Sequence, residues 1–348
     1  MIRYESEIEQ ITLELLRDEN GYVILYGPDL LEGASPERGN SEVVLQDRLR
    51  AAIDRLNPRI PEVAREEAFK KVLRTQALTV IDNNEAFHLL LTEGVDVKFS
   101  VGEGKSRTDK VWLVDFAVPE NNEFLAVNQL TVVENNINKR PDIVLFINGL
   151  PLVVIELKNA ADEKADVQAA FHQLQTYQQV IPSLFTFNAF EVISDGWFAK
   201  AGTISSDYSR FMEWKSVDGM HVIDSKYQSE LEPLVKGLLN KKTLLDVIRH
   251  FIVFEKTKEK TIKKLAAYHQ YFAVNKAIVS TLRASANENG HFAAEHPAVY
   301  GLPTVEAQPK GDRRAGVVWH TQGSGKSLSM VFYAGKLVLA EAMNNPTI

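Results

Sequence analysis

Apolar positions in residues 1–76 recur every three or four residues, with polar positions between them. The segment 5–16 ("ESEIEQITLELL") follows this pattern and precedes Asn20-Gly21, a dipeptide typical of a helix end. The segments 41–57 and 61–76 repeat the pattern. We therefore predict three amphipathic helices, each with one face against a core.

The apolar pattern changes to that of strands in the next part of the chain. The segments 111–118 ("VWLVDFAV") and 124–133 ("FLAVNQLTVV") favour strands. Two further apolar runs, at 143–147 and 152–157, flank Asn148-Gly149. Asn-Gly between apolar runs is typical of a two-residue hairpin turn, so these runs predict a buried antiparallel hairpin.

The pattern after residue 205 is irregular and then rich in lysine, as in "KTKEKTIKK". We interpret 205–264 as a helical connector and expect a new unit to begin near Leu265. Residues 286–314 form a long polar stretch and are predicted to be a loop. Beyond it, the chain predicts a short strand at 316–319, a tight loop at 320–325 and a helix from Leu328 onward.

Composition narrows the class of protein. A chain of 348 residues with 45% hydrophobic and 24% charged residues is long enough for two domains of an ordinary globular protein. No apolar run approaches the ~20 residues of a membrane span, and the acidic start is unlike a secretory signal. The absence of cysteine excludes disulfides and fits a cytoplasmic protein. A net charge of -7 gives no global attraction to nucleic acid, so DNA contact would need local basic patches.

Three charged residues bracket the predicted hairpin: Asp142 precedes it, and Glu156 and Lys158 end it. An antiparallel hairpin brings the start of its first strand beside the end of its second, so Asp142 is expected next to Glu156. Residues two apart share a face of a strand, which places Lys158 with Glu156. Two buried carboxylates repel unless a cation lies between them, and a hard divalent ion such as Mg²⁺ suits them better than one lysine.

"PD", a hairpin and "ExK" in this order resemble the motif of PD-(D/E)xK nucleases. The resemblance implies that Asp142 and Glu156 hold Mg²⁺ together with the carbonyl of Leu157. It also implies that Lys158 orients or activates the attacking water and stabilises negative charge on the phosphate. A strand that ends in solvated charges is the alternative reading of the same residues.

Two other segments resemble elements that accompany this motif. Gln173 and Tyr177 in "FHQLQTYQQ" match the QxxxY element of one branch of these nucleases and would share one face of a helix. There the pair would contact DNA or support the metal site. In the first helix, Glu9 resembles a glutamate that some members place near the metal. A polar surface helix with a half-buried tyrosine, and a surface glutamate, are the alternatives.

The segment "AGVVWHTQGSGKSLSM" has the strand, Gly-rich loop, Gly-Lys-Ser and helix that a P-loop requires. Backbone amides at 323–326 would cradle phosphates, Lys326 would reach the β- and γ-phosphates, and Ser327 would hold Mg²⁺. His320 stands where the first glycine of a P-loop is usually found. In this respect "HTQGSGKS" resembles the first helicase motif of superfamily 2 restriction motors. The expected ATP-binding residues in this loop are Thr321, Gly323, Ser324, Gly325, Lys326 and Ser327.

The upstream segment "YHQYFAVNKAI" resembles the Q motif of superfamily 2 motors, in which a glutamine contacts adenine. Gln270 is the matching residue, and an amide can pair with both N6 and N7 of adenine. Relatives often carry a basic residue just before the tyrosine, where this chain has Ala267, so the resemblance carries no contact over to that position. An amphipathic helix with inward-packed aromatic residues is the alternative.

The order of these motifs resembles the restriction (R) subunit of type I restriction-modification enzymes, over nearly the whole chain. The segments "DFAVPENNEFLAVNQ" and "RPDIVLFINGLPLVVIELKN" belong to this resemblance. It implies ATP-driven translocation along double-stranded DNA and Mg²⁺-dependent cleavage. It also implies methyltransferase (M) and specificity (S) subunits as partners.

We therefore predict an α/β fold in which a PD-(D/E)xK nuclease domain with a mixed sheet flanked by helices occupies 1–204. A connector would follow at 205–264, and 265–348 would begin a RecA-like P-loop domain. No Walker B aspartate follows the loop, so we expect the N-terminal part of a longer protein, unable to hydrolyse ATP by itself. Three alternatives stay open: a stand-alone Mg²⁺ nuclease with a vestigial P-loop, a non-catalytic docking module, and an ATP-binding switch without nuclease activity.

Overall fold

The computed structural model describes residues 5–32, 36–102, 104–158, 167–285, 313–343 and 346. Its largest sheet is mixed and has seven strands. The described strands are β1 (Val23–Tyr26), β2 (Val95–Gly102), β3 (Lys105–Val111), β4 (Phe124–Asn128), β5 (Val132–Glu134), β6 (Ile137–Lys139), β7 (Ile143–Ile147), β8 (Leu150–Leu157), β9 (Phe190–Ser194), β10 (Ala199–Gly202), β11 (Met212–Glu213), β12 (Ile252–Lys256) and β13 (Thr261–Leu265).

Helices cover the sheet and continue toward the C-terminal part of the chain. They are α1 (Glu5–Asp18), α2 (Gln46–Leu56), α3 (Glu62–Leu73), α4 (Val80–Glu93), α5 (Val167–Val180), α6 (Pro182–Thr186), α7 (Leu231–Pro233), α8 (Lys241–His250), α9 (Tyr268–Ser285) and α10 (Lys326–Val338). A π-helical turn (Leu234–Leu238) extends α7. Short 3₁₀ turns occur at Gly27–Leu31, Pro119–Asn121, Tyr208–Arg210 and Glu341–Met343. None of the described helices is long and apolar enough to cross a membrane.

The main sheet has the strand order β1-β4-β7-β8-β9-β10-β11. The β1–β4 and β8–β9 pairs are parallel, and the other neighbouring pairs are antiparallel. Every residue of β7, β8 and β9 is buried, which explains why these strands are apolar runs rather than alternating ones. Helices α1 and α5 both contact β8. The predicted α/β fold with a mixed sheet is therefore confirmed, whereas its assignment to the PD-(D/E)xK class remains a prediction.

The predicted hairpin is confirmed as β7 and β8, although β8 begins at Leu150, two residues earlier than expected. Asn148 and Gly149 form the turn with φ of 51° and 81°. The Asn148 side chain stabilises it by donating to the Leu113 carbonyl at 2.9 Å. A Cβ on Gly149 would lie 2.5 Å from the Leu45 carbonyl oxygen, so only glycine fits.

Several boundaries in the first 135 residues differ from the sequence prediction. Helix α2 begins at Gln46 rather than near residue 41, because Val43–Leu45 is buried and Leu45 N–H donates to Gly149. The predicted strand at 111–118 is wrong: β3 ends at Val111, and the Asp115 carboxylate accepts from the amides at 117 and 118 in a turn. The predicted strand at 124–133 is two strands, β4 and β5.

The helical prediction for "KTKEKTIKK" is also wrong. This stretch is the tip and second strand of the β12–β13 hairpin, in which Ile252 pairs with Leu265 and Phe254 with Lys263. Threonine and isoleucine favour the pleated strand, and Thr257 closes the turn by exchanging hydrogen bonds with Lys260. Residues 205–264 therefore mix α8 with strands, and β11 even belongs to the main sheet. The boundaries 1–204, 205–264 and 265–348 remain predictions.

The strand predicted before the P-loop, at 316–319, is not formed in the structure. Residues 316–319 pair with no strand of the described chain, and Val317 and Trp319 are 93% and 85% exposed, because no ladder partner covers them. Helix α10 begins at Lys326, two residues earlier than predicted, and packs against α9. The buried Lys336 Nζ donates to Asn275 at 2.7 Å and pairs with Asp246, which ties α10 to α8. Most of the predicted loop at 286–314 lies outside the described residues.

Candidate functional site

The β7–β8 hairpin brings Asp142, Glu156 and Lys158 together at its open end. Ile143 pairs with Ile155, so the preceding and following residues, Asp142 and Glu156, are opposite each other. Oδ2 of Asp142 accepts from the backbone N–H of Leu157 at 2.7 Å. Nζ of Lys158 lies 3.0 Å from Oε1 of Glu156. The convergence predicted from the sequence is therefore present in the fold.

Both carboxyl groups are buried, with 7% of Asp142 and 2% of Glu156 exposed. Burial, and secondarily the charge of Asp142, raise the pKa of Glu156 to about 8. Burial also raises the pKa of Asp142 to about 6, against the lowering effects of the Leu157 N–H and the Lys158 charge. Oε2 of Glu156 is buried and has no hydrogen-bond partner among the described residues. When both groups are ionised, the pair therefore requires a positive charge close to it.

Lys158 supplies part of that charge. Its Nζ donates to Oε1 of Glu156 and, at 2.9 Å, to the carbonyl of Leu157, and it lies 3.5 Å from Oε1 of Glu5. Burial lowers the pKa of Lys158, but Glu156, Asp142 and Glu5 outweigh burial and raise it overall. The ammonium group thus touches two of the three groups predicted to hold a metal ion. One lysine cannot balance all of these carboxylates.

The described residues include no group of three or more His, Asp or Glu side chains arranged to hold a metal ion. A divalent cation here would instead depend on two carboxylates, one backbone carbonyl and oxygens from water or phosphate. Mg²⁺ binds in this way, with one or two carboxylates and retained waters. The unpartnered Oε2 of Glu156 and the shared burial of Asp142 and Glu156 fit such an ion.

Helix α1 lies beside these carboxylates and presents Glu5 and Glu9, one turn apart, on the same face. Both residues raise the pKa of Asp142 through their charge. Oε1 of Glu9 accepts from Asn128 and Oε2 from Gln129, both at 2.7 Å. Glu9 therefore lies near Asp142 with both of its oxygens bound by amides, and its proximity to a metal ion remains a prediction. Sequence reasoning missed Glu5, Asn128 and Gln129, although the spacing of Glu5 and Glu9 was a usable signal.

Gln173 and Tyr177 lie on α5, one turn apart, as predicted. The Tyr177 hydroxyl is 3.3 Å from the Arg140 carbonyl, two residues before Asp142. Burial raises the pKa of Tyr177, the nearby Glu156 carboxylate raises it further, and a hydrogen bond with Gln173 lowers it. Tyr177 therefore lies near the carboxylate cluster and Gln173 contacts Tyr177, whereas contact of either residue with DNA remains a prediction.

The predicted nucleotide-binding residues lie together at the start of α10. Gly323 and Gly325 have φ of 83° and 75°, which the tight loop before the helix requires. Nζ of Lys326 donates to the carbonyls of His320 and Thr321 at 3.1 and 2.8 Å. The flanking residues complete the predicted set: Ser324 in the loop and Ser327 in the exposed first turn of the helix.

Gln270 at the start of α9 contacts this loop. Its Nε2 donates to the Gly325 carbonyl at 3.1 Å, and its Oε1 accepts from the Ala267 N–H at 2.9 Å. A Cβ on Gly325 would lie 2.5 Å from that amide nitrogen, so the contact is close. The structure brings the predicted Q-motif residue and P-loop together, and leaves adenine contact untested.

Comparisons with known proteins match both parts of the chain. The family model of the type I restriction enzyme R protein N terminus matches residues 2–210, and that of the SWI2/SNF2 ATPase matches residues 269–348. The HindI type I restriction enzyme endonuclease subunit of Haemophilus influenzae is 43% identical, over 99% of this chain and 31% of its own length. A putative type I restriction enzyme endonuclease subunit, MjaIXP, of Methanocaldococcus jannaschii is 31% identical, over 98% of this chain and 32% of its own. The chain thus spans about a third of the length of these relatives.

Proposed function

The chain belongs to the family of type I restriction enzyme R protein N termini, and on this premise we propose that it supplies the DNA-cleaving site of a restriction subunit. The reaction is Mg²⁺-dependent endonucleolytic cleavage of double-stranded DNA. The observation that carries the proposal is the buried pair of Asp142 and Glu156 beside Lys158, with Oε2 of Glu156 unpartnered in the described structure. The two relatives described above are named as endonuclease subunits, which supports the proposal.

Asp142, Glu156 and the Leu157 carbonyl are the groups that would hold Mg²⁺. When bound, the ion supplies Lewis-acid activation of the phosphate and lowers the pKa of a water molecule. The Leu157 N–H fixes one oxygen of Asp142 and so orients the carboxylate toward the cluster. Lys158 holds a positive charge at the same place, where it stabilises negative charge on the phosphate and orients the attacking water.

The residues at the start of α10 support a second part of the proposal, an ATP-driven motor coupled to DNA cleavage. We infer that Lys326 exchanges its contacts with the His320 and Thr321 carbonyls for the phosphates of ATP, while Ser327 contacts the associated Mg²⁺. Gln270, already against the loop, would meet the adenine edge. In the full-length protein this ATP site would drive translocation along DNA before cleavage. Methyltransferase and specificity subunits would supply recognition of the DNA sequence.

Plasmid cleavage by the full-length subunit in its assembly, with Mg²⁺ and ATP, tests the proposal. Glu156→Gln keeps the shape of the side chain and removes its charge, and should abolish cleavage. Glu191→Gln is the matched control, because Glu191 is also a buried glutamate, on the adjacent strand β9, where Gln178 donates to it at 2.7 Å. Equal cleavage by wild type and Glu156→Gln would refute the proposed site. Loss of cleavage in both variants would point to a general effect of buried charge on folding.

A further inference from the structure

Gln129 has a backbone conformation that its residue type disfavours. It follows β4 directly and has φ of 55°, in the left-handed region. The other non-glycine residues with such φ in the described chain are asparagines: Asn135, Asn136 and Asn148. Asparagine tolerates this region, whereas glutamine has no comparable local compensation. Strain of this kind persists only where surrounding contacts enforce it.

The contacts of Gln129 explain why the strained conformation is held. Its backbone N–H donates to the Asp142 carbonyl at 2.9 Å, and its Nε2 donates to Oε2 of Glu9 at 2.7 Å. Its own carbonyl is close to Gly27, where a Cβ would lie only 2.6 Å from the oxygen. One half-buried residue therefore links α1, the turn after β1 and Asp142, the residue that precedes β7.

The link has an electrostatic consequence. Amides of Asn128 and Gln129 hold both oxygens of Glu9, so its charge stays fixed beside Asp142. One turn earlier on the same helix, Glu5 lies 3.5 Å from Lys158. The position of α1 thus decides how much negative potential reaches the carboxylate pair, and Gln129 is a contact that sets this position.

We propose that Gln129 is a positioning residue of the nuclease site, which holds Glu9 and Asp142 in register and thereby tunes the affinity of the cluster for a divalent cation. This inference rests on the proposed function. Residues that orient metal ligands without touching the metal typically change affinity by about 10–100-fold when substituted.

Titration of the 348-residue chain with Mn²⁺, followed by the electron paramagnetic resonance signal of the free ion, tests the inference. Gln129→Ala removes the amide and keeps the backbone strain, whereas Gln129→Gly removes the amide and relieves the strain. We expect the Mn²⁺ dissociation constant to rise about tenfold in both variants. The thermal midpoint should be higher in the glycine variant than in the alanine variant, which separates metal binding from stability. Wild-type Mn²⁺ affinity in Gln129→Gly would overturn the inference.

A double-substitution cycle tests the route through Glu9. Glu9→Gln should weaken Mn²⁺ binding, and adding Gln129→Gly should weaken it no further, because the two side chains act through one contact. Independent, additive losses would contradict that route. Glu156→Ala separates this inference from the proposed function: if it binds Mn²⁺ as tightly as wild type, the metal site itself is refuted. If Glu156→Ala loses binding while the Gln129 variants keep it, only the role of Gln129 fails.

Discussion

Lys158 and Glu156 form a partly buried ion pair, 3.0 Å from Nζ to Oε1, at the position where the proposed cation would bind. The ammonium group also touches the Leu157 carbonyl, the backbone ligand in the same proposal. A lysine in this position would compete with a metal ion for the same oxygens. It would also be close enough to stabilise negative charge on the phosphate. These two effects can be separated by substitution.

We predict that Lys158→Met binds Mn²⁺ about tenfold more tightly than wild type, because a neighbouring positive charge is removed from a site of low exposure. Cleavage by the same variant in the full assembly should fall at least about 100-fold, because the charge that stabilises the phosphate is lost. Calorimetric Mn²⁺ titration and plasmid cleavage measure the two quantities. Weaker Mn²⁺ binding by the variant would mean that Lys158 supports the cation rather than competing with it.

Removal of a proposed metal ligand should separate cutting from ATP hydrolysis. In the full-length subunit within its assembly, Asp142→Ala or Glu156→Ala should abolish cleavage and leave DNA-stimulated ATP hydrolysis unchanged. The carboxylates lie on the β7–β8 hairpin, whereas the proposed phosphate site lies at the start of α10. Phosphate release measured beside plasmid cleavage checks this, and loss of both activities in a folded variant would contradict it.

Substitution in the P-loop should lower both ATP-driven translocation and DNA cleavage. Lys326→Ala should stop ATP-driven translocation and also cutting, if the nuclease acts only after the motor has moved DNA. Loss of one phosphate-binding cation from a closed site should lower ATP turnover by roughly 100-fold or more. Triplex displacement reports translocation, and Lys70→Ala, at a lysine of α3 that is 73% exposed, is the matched control. Normal cutting by Lys326→Ala would show that the nuclease does not depend on this motor.

Lys263 gives a prediction about stability and pH. It lies on β13 with 1% of its surface exposed, and its Nζ donates to Asn84 at 2.8 Å and to the Asn188 carbonyl at 2.7 Å. Burial lowers its pKa from 10.5 to about 7, against the raising effect of Glu191. Between these values the unfolded chain binds more protons than the folded protein, so the lysine makes stability rise with pH.

The Lys263→Met variant lacks this dependence. The free energy of unfolding of wild type minus that of the variant should therefore increase by about 2 kcal/mol between pH 7 and pH 9. Urea unfolding of the 348-residue chain at the two pH values measures it. Parallel pH profiles for the two proteins would show that the amine titrates at its ordinary pKa.

The hairpin turn should tolerate no side chain on its glycine. Gly149→Ala would place a Cβ 2.5 Å from the Leu45 carbonyl at φ of 81°, and should lower the free energy of unfolding by about 2 kcal/mol. Gly335→Ala is the matched control, since Gly335 lies inside α10 with no neighbour within 4 Å of the added Cβ, and it should be neutral or stabilising. Thermal unfolding of both variants provides the comparison.

Local signals explain what could be predicted from the sequence. Asn148-Gly149 and its two apolar runs specify the hairpin, and pairing across it brings Asp142 within one residue of Glu156. A bulge at Leu152 of β8, which the sequence prediction did not include, sets the two carboxylates opposite each other. The β12–β13 hairpin was not predicted because lysines hide the alternation of apolar and polar residues that is typical of strands. One of these lysines, Lys263, is itself buried.

The contacts of Glu9 could not be predicted in the same way. They join a residue on α1 to Asn128 and Gln129 at the end of β4, more than a hundred positions later. Only the packing of α1 on the sheet creates that proximity, and no spacing within the sequence records it. The same holds for Lys336, whose partners Asp246 and Asn275 lie on two other helices.

The pairing of β7 with β8 also makes the chemistry depend on chain length. Side chains alternate between the two faces of a strand, so one residue inserted between Gly149 and Glu156 would exchange the faces of everything that follows. Ile155 would then occupy the position of the carboxylate, and Glu156 would point to the other side of the sheet. Every residue of β8 is buried and the strand already contains one bulge, at Leu152, so a second extra residue has no exposed stretch to occupy. Insertions and deletions in this strand should therefore be as damaging to cleavage as replacement of Glu156 itself.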